Sequence, residues 1–270
     1  MTTGQETKTN CFFAMFDIIG FSNLLKVRGS EGLYRLYSRN ILPMLQRAAM
    51  PFSIEKEING VNALVPDPHS LRVSYNFFSD TIVYYSKDDS LDSFFKIVFT
   101  SLELLKSGFG GLKAPYRGAI GYGDIITDET GIMLGTSIID AYKGEQSQMW
   151  AGCILTETCE HFCNTNNYID SFYKIFDSAL EGEKDDIKQT NYKKSQKTLV
   201  KYSVQKQKKK NDEPIEYFQK EHIVLDWTQN MYEGASEKSF HQSEIPHQEM
   251  IRKNTIDFEK WARQNNKVLL

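Results

Sequence analysis

The feature that most constrains the fold is an apolar run that ends on an acid. Residues 11–16, CFFAMF, are followed directly by Asp17 and then by Gly20. The run predicts a buried strand over residues 11–19, and leucines spaced by threes and fours after it predict a helix over residues 20–50. A carboxylate at the end of a buried strand is unfavourable unless it is paired or binds a cation. Asp17 therefore either caps the following helix or holds a metal ion.

The rest of the chain continues this strand–helix order. Residues 51–70, which contain three prolines and Asn59–Gly60, are typical of a loop. Strands are predicted at 71–78, 81–86, 116–126, 132–134, 199–205 and 222–227, helices at 90–106, 135–145 and 243–266, and a short strand with a helix within 152–180. The order predicts an α+β sheet with helices on one face. We expect a single domain over residues 1–270, with a core over about residues 11–180 and a C-terminal hairpin and helix within 181–270.

Composition narrows the class of protein. The net charge is −3, so nothing indicates general binding to nucleic acid. No apolar run of 18 residues predicts a membrane span, and the first ten residues, MTTGQETKTN, lack the apolar segment of a signal peptide. We therefore expect a cytoplasmic protein with reduced cysteines. A zinc site at Cys159, His161 and Cys163 is disfavoured, because His161 would point away from the two cysteines on a helix.

A second acid lies in a very tight turn. Ser79–Asp80 separates two predicted hairpin strands, and if these adjoin the first strand, the carboxylates of Asp17 and Asp80 meet. Two carboxylates, with a backbone carbonyl such as that of Ile18, suit two Mg²⁺ or Mn²⁺ ions that share their oxygen ligands with a triphosphate. Backbone N–H groups at the helix start suit its phosphates, at Ile19, Gly20, Phe21 and Ser22. Each motif alone favours a capped strand–helix junction or a simple turn, whereas the two together, in this order, favour the metal site.

Three segments resemble, in order and spacing, the core blocks of class III nucleotidyl cyclases. They are FDIIGFSNLL (16–25), NFFSDTIVYY (76–85) and YRGAIGYGDII (116–126), and the resemblance covers about residues 11–145. It implies a ferredoxin-like (βαββαβ) catalytic domain with two divalent ions on Asp17 and Asp80. It also implies a homodimer with shared active sites, in which the ribose 3′-oxygen of a nucleoside triphosphate attacks the α-phosphate and pyrophosphate leaves.

The sequence departs from the purine cyclases at four positions. Asn76 stands where they carry a base-reading lysine, and Ile132 where they carry an aspartate. Ile139 and Lys143 replace an asparagine and an arginine that contact the transition state. The bacterial pyrimidine cyclases of antiphage defence (Pycsar), which make cyclic UMP or cyclic CMP, tolerate such changes. The chain resembles them in FSD (78–80), RGAI (117–120), GEQSQMWAGCIL (144–155) and a basic hairpin followed by LDW (225–227). That resemblance implies UTP or CTP as substrate, with UTP favoured.

The resemblance leaves further candidates and two rival functions. The candidate residues are Tyr75, Asn76 and Ile132 for the base, Arg117 and Lys143 for the charge of the transition state, and Lys201 or Lys206 for the β- and γ-phosphates. Arg117 is equally compatible with a surface ion pair, and Lys143 with a solvated helix position. A purine cyclase with an unusual pocket and a non-catalytic, cyclase-like nucleotide-binding dimer remain open as alternatives.

Overall fold

The computed structural model defines ten strands and seven helices in the residues that it describes. These residues are 7–43, 53–58, 61–66, 73–128, 131–181, 198–208, 214–229, 231–240 and 246–267. The strands are β1 (Thr7–Ile18), β2 (Ser53–Ile58), β3 (Val61–Pro66), β4 (Ser74–Phe78), β5 (Thr81–Tyr85), β6 (Tyr116–Thr127), β7 (Met133–Leu134), β8 (Gly152–Leu155), β9 (Leu199–Lys208) and β10 (Glu216–Leu225). The helices are α1 (Phe21–Leu36), α2 (Leu91–Ser107), α3 (Thr136–Gln146), α4 (Glu157–Thr165), α5 (Tyr168–Glu181), α6 (Ala235–Ser239) and α7 (Pro246–Lys267), and single π-helical turns follow α1 and α2 at Tyr37–Ile41 and Gly108–Leu112.

The main sheet has the strand order β4-β5-β1-β6-β8-β10-β9, and β7 pairs with β6. The elements β1, α1, β4, β5, α2 and β6 form a βαββαβ unit whose four strands lie in the order β4-β5-β1-β6 and are antiparallel to their neighbours. This confirms the predicted α+β, ferredoxin-like fold class. Strand β8 joins β6 in parallel, the β9–β10 hairpin extends the sheet, and α7 is the predicted final helix.

Strand β1 is covered on both faces. Phe12 and its even-numbered neighbours belong to the large core with α2, whereas Cys11 and Phe13 belong to a second cluster with Ala141 of α3. The prediction that helices cover one face only is therefore wrong, because α3 lies on the opposite face. The unbroken apolar run of β1 fits this arrangement, since a strand buried on both faces needs no polar alternation.

One further prediction is corrected. The loop predicted over residues 51–70 contains β2 and β3, which pair from Ile58↔Val61 to Ser53↔Pro66. Helix α2 ends close to its predicted end, at Ser107, and the chain continues into the π-helical turn Gly108–Leu112. The reason is Phe109, which is fully buried there and stacks on Trp227 at a centroid distance of 3.7 Å. Tertiary burial thus outweighs the low helix propensity of glycine.

Some predicted elements differ only in length, and one lies beyond the described residues. The ladder of β9 and β10 runs from Leu199↔Leu225 to Lys208↔Glu216 and is longer than predicted, because the added residues, 206–208 and 216–221, are mostly polar. Of the C-terminal extension predicted over 181–270, residues 182–197 fall outside the described residues. Within the described ranges, no helix is long and apolar enough to cross a lipid bilayer.

Gly118 of β6 provides a test of the packing beside the site described below. A Cβ atom there would lie 2.4 Å from ring atoms of Phe16, a buried side chain that stacks on Tyr84. We expect Gly118→Ala to lower the free energy of unfolding by about 1–3 kcal/mol, measured by urea denaturation. Gly110→Ala is the control, since its Cβ would meet only the Met231 methyl at 3.4 Å. Equal midpoints for the two variants would contradict the prediction.

Candidate active site

The structure brings Asp17 and Asp80 together. Asp17, the penultimate residue of β1, pairs with Thr81 at the start of β5, and Asp80 directly precedes Thr81. The tight turn holds Ser79 in the left-handed region at φ 57°. The N–H of Ile18 donates to the carbonyl of Asp80 at 3.3 Å, and the two carboxyl groups are within hydrogen-bonding reach of each other. Strand β1 and the β4–β5 turn thus place the carboxyl groups of Asp17 and Asp80 next to each other.

The electrostatics of this pair favour a cation. Burial, followed by the negative charges of Glu145 and Asp80, raises the pKa of Asp17 to about 7, and Arg117 offsets part of this. Two adjacent carboxylates therefore share a proton or bind a cation. In the described part of the chain, no group of three or more His, Cys, Asp or Glu side chains forms a metal site. A two-carboxylate site still fits Mg²⁺ or Mn²⁺, because such ions take their remaining ligands from water and substrate phosphates.

A buried ion pair lies beside Asp17. Arg117 stands directly opposite Asp17 in the β1–β6 ladder. Its Nε donates to Oε1 of Glu145 at 2.5 Å, and its Nη1 donates to the carbonyl of Gln148 at 3.1 Å. Arg117 is only 8% exposed and Glu145 only 1%. Burial raises the pKa of Glu145, and Arg117 opposes that shift. The ion pair considered for Arg117 is thus a buried one.

A cavity of about 320 Å³ opens next to the acids. Asp17, Thr81 and Glu145 are among its lining residues, as is Asn76 of β4. The lining also includes two exposed aromatic side chains, Phe78 and Tyr142, which are 82% and 52% exposed. This volume lies at the lower end of the range for small-molecule sites. The cavity lining therefore combines acidic with apolar side chains.

The start of α1 provides part of the predicted phosphate cradle. Gly20 precedes the helix in the left-handed region at φ 77°, and the first-turn N–H groups of Phe21 and Ser22 have no partner within the helix. The N–H of Ile19, in contrast, donates to the carbonyl of Pro115 at 2.9 Å and is already engaged. Of the predicted N–H donors, those from Gly20 to Ser22 are the ones that suit an anion.

The three predicted base-binding residues have different positions. Asn76 lines the cavity, and its Oδ1 accepts a hydrogen bond from the N–H of Phe77 at 2.8 Å. Tyr75 lies on the other face of β4 and packs against the large core. Ile132 is exposed and precedes Met133, which lines the cavity. Among the three, only Asn76 belongs to the cavity wall.

The predicted lysines lie outside the cavity wall. Lys143 is exposed on α3. Lys201 is exposed on β9 and faces Glu221 at 3.9 Å. Lys206 is buried, with its Nζ 3.1 Å from Nε2 of His222. Within one chain, the structure does not bring these amines to the Asp17–Asp80 pair.

Sequence reasoning missed Glu145. Its position four residues after the buried Ala141 places it on the inner face of α3, where an acid requires a partner. That spacing was the available signal, but the identity of the partner, Arg117, depends on how α3 docks across β6.

Comparisons with known proteins give remote structural likenesses. No protein-family model and no curated protein matches the sequence. The monomeric guanylyl cyclase domain of a rhodopsin fusion protein from the aquatic fungus Blastocladiella emersonii is 11% identical with a TM-score of 0.44, covering 61% of this chain and 90% of its own. The catalytic core of a rhodopsin-guanylyl cyclase with converted specificity, in complex with ATPαS, is 7% identical with a TM-score of 0.45, covering 82% and 98%. An adenylate/guanylate cyclase/hydrolase from Silicibacter pomeroyi is 16% identical with a TM-score of 0.38, covering 60% and 84%. Likenesses this remote do not transfer an activity or a substrate.

Proposed function

We propose that this protein is a metal-dependent nucleotidyl cyclase that converts UTP or CTP to the 3′,5′-cyclic monophosphate and pyrophosphate. The observation that carries the proposal is the meeting of Asp17 and Asp80 beside the start of α1, where Asp17 lines a cavity of about 320 Å³. Paired carboxylates next to an anion-binding helix start suit a metal-bound triphosphate.

The reaction needs positioning and charge neutralisation more than a protein nucleophile. The 3′-oxygen loses its proton to solvent and bonds to the α-phosphorus, while the bond from that phosphorus to the pyrophosphate oxygen breaks. Two divalent ions held by Asp17 and Asp80 would lower the pKa of the 3′-hydroxyl and neutralise the leaving pyrophosphate. The N–H groups from Gly20 to Ser22 would hold phosphate oxygens, and Arg117 would add positive charge near them.

The base preference rests on Asn76. Because its Oδ1 accepts from the N–H of Phe77, its NH₂ group is left to donate towards a ligand in the cavity. An amide donor matches the carbonyl oxygens of uracil or cytosine. The resemblance to the antiphage pyrimidine cyclases favours UTP over CTP. The same resemblance supports a role for the product as a second messenger in bacterial defence.

A homodimer would complete the site. Exposed apolar side chains occur in the cavity lining, at Phe78 and Tyr142, and at Ile132, Leu134 and Ile139 on and next to β7 and α3. Exposed apolar groups of this kind are typical of an interaction surface. A second copy bound to this surface would cover the exposed apolar side chains. It would also supply lysines to the acids, because the lysines of the same chain lie away from Asp17 and Asp80.

Charge introduced into this surface should separate the dimer. Ile139 is 54% exposed on α3, so Ile139→Asp can fold as a monomer. We expect its dimer dissociation constant to rise at least about a hundredfold, since burying an unpaired charge costs several kcal/mol. Sedimentation equilibrium would measure this, with Val27→Asp, an exposed position on α1, as the control. An unchanged dimer in Ile139→Asp would exclude this surface.

Product analysis tests the activity. The purified protein is incubated separately with ATP, GTP, CTP and UTP in the presence of Mn²⁺, and the products are identified by mass spectrometry, with Asp17→Ala as control. A cyclic pyrimidine nucleotide that is absent in the control supports the proposal. A cyclic purine nucleotide would keep the mechanism but overturn the role of Asn76. No cyclic product from a folded protein would favour the non-catalytic nucleotide-binding dimer.

A further inference from the structure

The buried pair Arg117–Glu145 lies where two negative groups compete for one guanidinium. Arg117 binds Glu145 through Nε and the carbonyl of Gln148 through Nη1. Asp17 is its direct neighbour across the β1–β6 ladder, and opposite residues of an antiparallel pair have Cβ atoms about 4.5–5.5 Å apart. Arg117 thus has a second carboxylate within reach on the same face of the sheet.

Pairing of Arg117 with Asp17 would prevent Asp17 and Asp80 from binding a cation. A guanidinium as buried as that of Arg117 does not remain unpaired, because an uncompensated buried charge is strongly unfavourable. If Glu145 were absent, the guanidinium would turn to Asp17 and occupy the oxygens that a cation needs. Glu145 is held by α3, which packs across β6 and β1, so the helix supplies a second carboxylate that binds Arg117 in place of Asp17.

We propose that Glu145 is a positioning residue that holds the guanidinium of Arg117 away from Asp17 and thereby leaves the Asp17–Asp80 pair available to a divalent cation. The inference rests on the proposed metal site but not on turnover. It predicts that a loss of Glu145 is compensated when Arg117 is lost as well. Neither a structural role for Glu145 nor a role as a third metal ligand predicts that compensation.

The experiment measures binding of Mn²⁺ alone, without nucleotide, from the electron paramagnetic resonance signal of the free ion. Glu145→Gln should raise the Mn²⁺ dissociation constant about tenfold, as the loss of an outer-shell partner typically does. The double variant Glu145→Gln/Arg117→Gln should return it to within about twofold of the wild type, since no guanidinium then competes for Asp17. Glu145→Asp keeps the charge on a shorter side chain and should lie between the wild type and Glu145→Gln.

A second buried pair provides the matched control. Glu259 binds Arg263 within α7 at 2.8 Å and, like Glu145, is nearly fully buried. Glu259→Gln should lower the thermal midpoint without changing Mn²⁺ binding, which separates stability from positioning. If Glu145→Gln does not fold, Glu145→Asp against its own double variant with Arg117→Gln makes the same comparison.

The outcomes separate this inference from the proposed function. Mn²⁺ binding that falls in Glu145→Gln and recovers in the double variant supports the inference, even if no cyclic nucleotide is formed. A double variant that binds as weakly as Glu145→Gln overturns it and makes Glu145 a ligand or a structural residue. Unchanged binding in Glu145→Gln, or wild-type binding that Asp17→Asn does not reduce, also overturns it.

Discussion

Asp17→Asn and Asp80→Asn, made one at a time, are expected to abolish formation of cyclic nucleotide. The fall in kcat/KM should be about a thousandfold or more, the upper end of the effect of removing one preorganised electrostatic group. Each acid would contribute charge to the same ions, so neither can replace the other. Steady-state assays with Mn²⁺ and UTP or CTP measure the loss, and Asp170→Asn, an exposed acid on α5, is the control.

The same substitutions should stabilise the metal-free protein. The pKa of Asp17 is raised from 3.8 to about 7, so its contribution to stability is present below pH 3.8 and is lost as the pH rises through about 7. At pH 8, Asp17→Asn removes a charge held beside Asp80 and Glu145. We expect a gain of about 2 kcal/mol, roughly half of what a shift of this size gives at about 1.4 kcal/mol per unit, since solvent reaches the cavity wall.

Adding Mn²⁺ should make the wild type more stable than Asp17→Asn. Mn²⁺ at a hundredfold excess over its dissociation constant stabilises the wild type by about 2.7 kcal/mol, and EDTA should remove that gain. Asp17→Asn should show no such response. A variant that is less stable than the wild type without metal, or that still responds to Mn²⁺, would show that Asp17 is a structural residue such as a helix cap.

The meeting of the two acids was predictable because short-range patterns determine it. The apolar run before Asp17 and the tight Ser79–Asp80 turn each define a strand end, and adjoining strands bring those ends together. The succession strand, helix, strand, strand, helix, strand follows from the same local patterns, whereas the ferredoxin-like arrangement is what the resemblance of the three core segments implies. The core elements and the meeting of the two acids were therefore accessible from the sequence.

The rest of the site depends on long-range register. Arg117 and Glu145 are 28 residues apart, and their pairing requires both the β1–β6 ladder and the docking of α3 across it. The burial of Lys206 also depends on long-range register. A lysine next to a charged run is typically exposed to solvent, but the pairing of β9 with β10 buries Lys206 against His222. Neither the helix docking nor the register is encoded in a short segment.

The proposed pyrimidine cyclase activity predicts that Asn76→Ala reduces the selectivity for pyrimidine over purine nucleotides. A site that hydrogen-bonds a substrate group can reject analogues by about 10⁴-fold, so we expect the wild-type preference in kcat/KM to be of that order. Asn76→Ala removes the amide that faces the cavity and should lower kcat/KM for UTP and CTP by about tenfold to a hundredfold, mainly through KM. Activity with ATP and GTP should not fall.

The control for this prediction lies on the same strand and the same face. Ser74 is two residues before Asn76 and exposed, and Ser74→Ala should leave the selectivity unchanged. Mn²⁺ binding should be unaffected in both variants, because Asn76 contributes no charge to the acid pair. If Asn76→Ala keeps the full preference while Asp17→Asn is inactive, Asn76 does not contact the base, and the assignment of base selectivity to Asn76 is wrong.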